Sequence, residues 1–469
     1  MIKYYLVVFS TVSLISVGLL LLKNPFFIFA NATANLLNSM LESNKNESKK
    51  QKQLIQSLGN LLPKFGLLLF FLAMTIGVSL IPVVVYLEYN PEKSVQTLDM
   101  RSIYFFLSVI LGSLVLFVVP WANRNKESDY SGWSMLLHRM ILANYNISGA
   151  LFRLEKRLYK KRISTADKDF IIVTGLARAG TTALTNLLFE SKKFHSLSYD
   201  NMPFLLSVNL WRKLYHPRKN KLKERAHGDN IMFGYRTIEA LEEYFFKVFL
   251  NDAYIKSNML VEHEVDQTTY KDYISYQKLI GIKDKDSNYL AKNNNLILRY
   301  KSLRAHNSDF KIVLIFRNPV THAYSLLNQH DRFCDMHEAD PFTLEYMNWL
   351  GHHEFGLNHK LFDLELRDLC DRYEDSSLNY WLAIWISYYS HVLTLLEDDN
   401  LYLIDYADLC SKPRELVGVL GSALNLDLSV DQREPYMERD LKDLDLDKNL
   451  LQRAEALHQD LVKRKMEFT

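Results

Sequence analysis

The sequence predicts an α/β protein: a doubly wound parallel sheet preceded by a helical transmembrane anchor. Three observations predict it. The first 121 residues contain three long apolar runs without a charge. Residues 169–174 (DFIIVT) form an apolar, β-branched run that stops at Gly175, and a helical pattern opens at Thr181. A second such run, 309–316 (DFKIVLIF), stops at Arg317 and is followed by Asn-Pro and another helical pattern. Strands that alternate with helices call for parallel pairing.

At about 150 residues per domain, a chain of 469 allows two to four units. Lys plus Arg (56) nearly balance Asp plus Glu (54). A net charge of +2 excludes a whole-chain nucleic-acid binder, which needs a basic excess to offset phosphates. An apolar share of 48% excludes wholesale disorder. Cys334, Cys370 and Cys410 are too few and too scattered for a disulfide framework or a paired-cysteine zinc site. No metal-ligand spacing stands out among the histidines either, so no metal is expected. The charge is uneven, however: residues 1–126 carry a net +6 and the remainder −4.

Residues 1–126 are predicted to be a membrane anchor with spans at about 4–22, 65–86 and 103–121. Each approaches the roughly 20 apolar residues that cross a hydrocarbon core. Tyr and Trp stand at several ends, as interfacial anchors do. Pro82 should kink the second span. The first run also fits a signal peptide, with Ala-Thr-Ala at 32–34 as a cleavage site, but its length favours an uncleaved anchor. Lys23, Lys45, Lys49, Lys50, Lys52 and Lys64 fall between spans one and two; only Lys93 and Arg101 fall between two and three. The positive-inside rule then places the first loop and the C-terminal body in the cytoplasm, as in a bacterial inner-membrane protein.

Residues 127–167 read as a juxtamembrane helix or linker ending in Arg153, Lys156, Arg157, Lys160, Lys161 and Arg162. Such a cluster suits anionic headgroups or a solvated helix face equally. The remaining body, 168–469, is one catalytic-type α/β domain. Within it 380–396 (YWLAIWISYYSHVLTLL) is a buried core helix, and the histidine-containing stretch 330–375 is an insert that covers a substrate pocket or forms a solvated flap.

The segment Gly175-Leu-Ala-Arg178-Ala179-Gly180-Thr181-Thr182 gives the body its chemistry. Two glycines let backbone N–H groups converge, and the helix N-terminus adds positive potential: a P-loop-like anion site. Thr181 stands where a nucleoside triphosphatase has its phosphate-binding lysine, which counts against a kinase. Arg317 leaves the second strand, Pro319 suits a helix start, and Ser325 lies eight residues past Arg317. At the carboxyl edge of a parallel sheet both could reach one anion.

The pair of motifs, in this order and about 140 residues apart, resembles the sulfotransferase superfamily, closest in style to its carbohydrate and tyrosylprotein branch. The first resembles the family's 5′-phosphosulfate loop and the second its 3′-phosphate site. The resemblance covers about residues 168–425 and implies the donor 3′-phosphoadenosine 5′-phosphosulfate (PAPS) without a metal. It implies that Gly175, Arg178, Ala179, Gly180, Thr181 and Thr182, with Arg317 and Ser325, bind the donor. Ala177 and Ala179 depart from the family's Pro and Ser. Lys292, in Ala-Lys-Asn-Asn, matches a lysine that contacts the transferring group in tyrosylprotein sulfotransferases, though the proline of that string is absent. Leu401–Leu409 (LYLIDYADL) resembles the family's late strand and turn.

The chemistry implied is in-line transfer to a hydroxyl, which needs positioning, charge stabilisation and a general base. By the same resemblance Asp200 is the candidate base, with His227 and Asp229 as rivals; a helix N-cap is the structural role open to Asp200. Arg178 and Lys292 would hold the sulfuryl oxygens. The partners expected are the bilayer and a hydroxyl-bearing acceptor, such as a lipid-linked sugar. Two readings stay open: a P-loop kinase-like phosphotransferase, and a non-catalytic nucleotide-binding membrane scaffold.

Overall fold

The computed structural model describes residues 2–41, 47–89, 107–111, 132–163, 169–215, 223–224, 232–233, 238–284, 286–430 and 445–467. Two compact units divide the chain, Met1–Arg139 and Met140–Thr469.

In the first unit, α1 (Ile2–Leu41) and α2 (Glu47–Glu88) form a long antiparallel hairpin. Gly18 faces Thr75, Phe29 packs on Phe65 with ring centroids 5.3 Å apart, and Ser39 Oγ lies 3.5 Å from Ser57 Oγ. A Cβ on Gly18 would fall 2.1 Å from Thr75 Cγ2, so the helices approach at a small residue, as apolar helices do when packing alone must hold them. Tyr5–Leu41 and Gln51–Glu88 are long and apolar enough to cross a membrane, with mean hydropathies of 2.3 and 2.6. Only 17% and 6% of those apolar windows are buried, which separates them from the core helices of a globular protein.

The helices differ from the expected spans in length. Residues 23–41 and 47–64, expected between spans, are helical: the first stretch lacks glycine, the second is rich in Lys, Gln and Leu, and Pro25 and Pro63 are accommodated. The expected third span, 103–121, lies outside the described residues except for 107–111, which are helical. A short helix, α3 (Gly132–Leu142), leads out of this unit.

The second unit holds a five-stranded, all-parallel sheet. Its strands are β1 (Phe170–Thr174), β2 (Phe194–His195), β3 (Asn288–Lys292), β4 (Lys311–Phe316) and β5 (Leu401–Asp405), in the order β2-β3-β1-β4-β5. The described helices of the unit are α4 (Tyr145–Tyr159), α5 (Thr181–Glu190), α6 (Val208–Leu214), α7 (Glu243–Leu250), α8 (Gln267–Ile280), α9 (Tyr300–His306), α10 (Pro319–Ala339), α11 (Pro341–Leu350), α12 (Leu378–Leu393), α13 (Tyr406–Ser411), α14 (Pro413–Leu424) and α15 (Lys448–Arg464).

The period of two along each strand divides the core. Phe170, Ile172, Ile312, Leu314, Phe316 and Leu403 face one apolar layer, with α4, α7, α8 and α12. Ile171, Val173, Val313, Ile315 and Ile404 face the other, with α5 and α14. A sheet buried on both faces explains why its strands read as continuous apolar runs. Twelve of the sixteen residues of α12 are buried, in keeping with a core helix at 380–396. Residues 145–159, within the stretch read as a juxtamembrane helix or linker, are helical, and they contribute Phe152 and Tyr159 to this core. The connection after β1 runs towards β2 and that after β4 towards β5, so the topological switch point lies between β1 and β4.

Candidate functional site

Both motifs open at that switch point. β1 ends at Thr174, and Gly175–Gly180 turns into α5. Gly175 takes φ +151°, and a Cβ there would lie 2.6 Å from the Ile315 carbonyl oxygen of β4. Gly180 takes φ +106°, and a Cβ there would lie 2.5 Å from the Tyr406 ring. Arg178 itself is left-handed at φ +69°. The loop is tied by the Ala179 N–H to the Leu176 carbonyl at 3.1 Å. Gly180 caps α5 without a side-chain hydrogen bond, so the helix begins with its amides uncapped by any side chain.

α10 clamps this loop from the second motif. Asn318 caps the helix by accepting from the Val320 and Thr321 amides, and Pro319 follows at its start. His322 and Ser325, three residues apart, share a face. The His322 Nε2–H donates to the Ala177 carbonyl at 2.7 Å, and Arg178 Nε donates to Ser325 Oγ at 3.3 Å. Burial drives the His322 pKa down to about 3 against the favourable Ala177 contact, so the imidazole is neutral at working pH. Arg317 stands over the Tyr406 ring, 4.7 Å from its centroid. Tyr406, at the turn from β5 into α13, therefore touches both Gly180 and Arg317 and is a residue that the sequence placed only in a fold motif.

Lys292 ends β3 beside β1. Its ammonium donates to Thr182 Oγ1 at 2.6 Å and to Glu239 Oε2 at 2.9 Å, with both partners of the ion pair nearly buried. Glu239 belongs to a short acidic stretch with Glu242 and Glu243. The Glu242 carboxylate accepts from Tyr273, Tyr289 and Asn293 at 2.8, 2.8 and 3.0 Å. Burial pushes its pKa up, and those three donors offset part of the rise. Burial would also push Glu243 up, but a bidentate pair with Arg299, at 2.6 and 2.7 Å, holds it below its ordinary value. Tyr289 and Asn293 flank Lys292, so Glu242 grips the strand end on both sides of the lysine.

Asp200 lies in a 3₁₀ turn, Tyr199–Asn201. Its carbonyl accepts the Trp211 indole N–H at 3.1 Å, and its charge acts on Arg212. It is not the N-cap of the following helix; that position is Ser207. The carboxylate brought to Lys292 is Glu239, which no motif marked: it lies 57 residues past Thr182, outside the windows that motif spacing searches. His227 and Asp229 lie outside the described residues.

The stretch 330–375 is only partly an insert, since its first ten residues complete α10. Beyond them, a pocket opens between Leu176 and Ala177 of the loop, His353, Glu354 and His359 of the insert, and Trp381. Burial would raise the Glu354 pKa, but neighbouring His352 and its hydrogen bonds hold it at about 2. Among the described residues, no three His, Cys, Asp or Glu side chains are grouped to hold a metal ion.

The donor set suits two separate phosphate or sulfate groups. Uncapped helix amides and Thr182 stand at one strand mouth, Arg317 and Ser325 at the next, with Arg178 between them.

The sulfotransferase domain family matches residues 167–448, more than half of the chain. Solved structures to which the chain is similar include the sulfotransferase STF1 of Mycobacterium tuberculosis H37Rv, at 16% identity over 71% of this chain and 89% of that one, with a TM-score of 0.36. A sulfotransferase of Alicyclobacillus acidocaldarius matches at 14% identity over 64% and 94%, with a TM-score of 0.33. The sulfotransferase STF9 of Mycobacterium avium matches at 12% identity over 70% and 76%, with a TM-score of 0.36. No curated protein matches the chain at a significant level. The chain belongs to the sulfotransferase family and is a PAPS-dependent enzyme of that family.

Proposed function

We propose a membrane-anchored sulfotransferase that moves the sulfuryl group of PAPS to a hydroxyl of a carbohydrate, lipid-linked or other membrane-associated acceptor, in the style of the carbohydrate and tyrosylprotein branch. The observation that carries this reading is the contact chain Glu239–Lys292–Thr182. It sets a carboxylate, an ammonium and a helix N-terminus within two hydrogen bonds of one another.

When bound, PAPS supplies an activated sulfuryl group, with adenosine 3′,5′-bisphosphate as its leaving group. The backbone of Gly175, Ala179 and Gly180 shapes the loop, and the amides at Gly180, Thr181 and Thr182 hold the 5′-phosphate. Arg317 and Ser325 hold the 3′-phosphate. Arg178 and Lys292 bind the sulfuryl oxygens and offset the charge that grows on the leaving phosphate. Glu239 takes the proton from the acceptor hydroxyl, ahead of Asp200 and His227, because it touches the lysine that faces the reacting group. The insert residues at 353–362 cover the acceptor side of the loop. α1, α2 and the expected third span at 103–121 anchor the enzyme; the lysines between the first two spans favour a cytoplasmic first loop, and the third span returns the catalytic unit to that side.

Calorimetric titration of the detergent-solubilised chain with adenosine 3′,5′-bisphosphate, with and without Mg²⁺, tests the donor site. Metal-independent binding that Arg317→Ala abolishes is the expected result. A folded chain that ignores this nucleotide but binds ATP with Mg²⁺ would return the kinase reading. Extraction of the chain from membranes by alkaline carbonate would remove the anchor from the proposal.

A further inference from the structure

α4 carries three stripes at helical spacing. Ser148, Phe152, Glu155 and Tyr159 face the core of the unit and are buried. Ile147, Leu151, Leu154 and Leu158 form a second stripe on the outer side, at the same alternation of four and three residues. Ile147, Leu154 and Leu158 are 40%, 44% and 58% exposed, which is large for apolar side chains on a helix that already has a core face. Arg153, Arg157 and Lys160 form the third stripe, followed by Lys161 and Arg162, all exposed.

The charges on this helix are sorted by sign. Its only acid, Glu155, points inward and accepts from the Asn209 N–H, the Asn209 side chain and the Leu210 N–H, at 2.9, 2.9 and 2.8 Å. Lys156 is paired with Asp272 at 2.6 Å. The five outward cations have no ion-pair partner among the described residues; Arg162 rests on the Tyr159 ring, 5.6 Å from its centroid. An apolar stripe bordered by cations, with its one carboxylate withdrawn, is the pattern of a helix lying in a bilayer interface.

We infer that the outer face of α4 is a docking surface for an anionic bilayer: Ile147, Leu154 and Leu158 enter the acyl boundary, while Arg153, Arg157, Lys160, Lys161 and Arg162 meet phosphate headgroups. Charge complementarity selects this occupant, since a protein groove for an apolar stripe would not require five unpaired cations beside it. Each cation near an anionic surface adds about fivefold to its affinity. The catalytic unit is thereby held on the membrane by its own surface, so an acceptor with its hydroxyl near the headgroups is within reach. The inference rests on the membrane-anchored reading.

The test places spin labels at Leu154→Cys and Leu158→Cys, and at Leu72→Cys on α2, in a Cys334→Ser background of the full chain. The chain is reconstituted in nanodiscs of phosphatidylcholine alone or mixed with phosphatidylglycerol. Collision with oxygen reports lipid, and collision with a water-soluble nickel chelate reports water. In the anionic discs the labels at 154 and 158 are expected on the lipid side. They should move to the water side in neutral discs, in about 1 M salt, where the Debye length falls to about 3 Å, and when Arg153, Arg157, Lys160 and Lys161 are changed to Gln. The salt arm needs no charge variant and holds even if that variant fails to fold. Labels at 154 and 158 that stay aqueous in anionic discs, while Leu72→Cys reports lipid, overturn the docking inference and leave the anchor standing. Labels shielded from both reagents show a protein partner and also overturn it. An aqueous label at position 72 defeats the anchor, and the two readings are thus told apart.

Discussion

Gly180→Ala is a sharp test of how the two strand–loop–helix motifs are joined. Gly180 adopts φ +106° and ψ 8°, where an L side chain is strained by about 1–3 kcal/mol. The new methyl would also meet Tyr406 Cδ2 and Cε2 at 2.5 and 2.7 Å, and Ile315 Cδ1 at 3.3 Å. Such crowding in a packed region costs about 1–3 kcal/mol. The sum, about 2–6 kcal/mol, is a large share of the 5–15 kcal/mol that holds a typical domain folded.

The crowding has one outlet. The Tyr406 ring can swing away, but Arg317 rests on that ring, and the swing displaces the guanidinium proposed to bind the 3′-phosphate. Losing one charge-assisted contact costs about 1.5–3 kcal/mol, or roughly 10- to 150-fold in Kd. Thermal unfolding and calorimetric titration with adenosine 3′,5′-bisphosphate would be run on Gly180→Ala, Tyr406→Ala and the double variant. In the double variant the crowding against Tyr406 is gone, while the backbone strain and the looser contact with Ile315 remain. The second substitution should therefore recover at least about 1 kcal/mol relative to the sum of the singles. Strict additivity, within about 0.5 kcal/mol, together with unchanged nucleotide binding in Gly180→Ala, would refute the coupling through Tyr406.

Three further outcomes follow from the site. Glu239→Gln should leave adenosine bisphosphate binding within a few-fold while lowering turnover with radiolabelled PAPS by about 10²–10⁴; a larger loss in Asp200→Asn than in Glu239→Gln would give the base back to Asp200. Glu242 has a raised pKa, so the stability it contributes is fully present below its ordinary value near 4.5 and is lost as pH rises through the raised one. Glu242→Gln should accordingly gain on the parent in urea unfolding as pH rises, and a gap independent of pH would show that the carboxyl is not held neutral by burial. Glu354 has the opposite sign: held at about 2 from 4.5, it contributes up to about 3 kcal/mol above its ordinary value, lost between about pH 4.5 and 2. Glu354→Gln should flatten the acid limb of the stability curve over that window, and an unchanged limb would rule the contribution out.

The strand–loop–helix units were legible in the sequence because their signals are local. β-branched runs bounded by Gly175 and Arg317, a proline at the start of α10, and two threonines after the second glycine all lie in short windows whose conformations their own residues dictate. The core helix at 380–396 was equally plain, since all of its faces are apolar. Extents were harder to read. The apolar run ending at Leu22 suggested a helix end, yet α1 continues to Leu41 because loss of hydrophobicity does not stop a helix; a break needs a residue that cannot continue it.

What the sequence by itself determined is therefore the strand–loop–helix units, the core helix and the family. Tertiary structure alone decided which side chains meet at that loop. Glu239 reaches Lys292 across 53 residues, and Arg178 reaches Ser325 across 147. His322 grips the Ala177 carbonyl, and Tyr406 touches both Gly180 and Arg317. These contacts arise because parallel strands distant in sequence end at one edge of the sheet, where buried charges must find partners. Glu155 and Glu239 carry the same functional group with no local signal to separate them. Burial against α6 makes one structural, and burial beside Lys292 makes the other a candidate for chemistry.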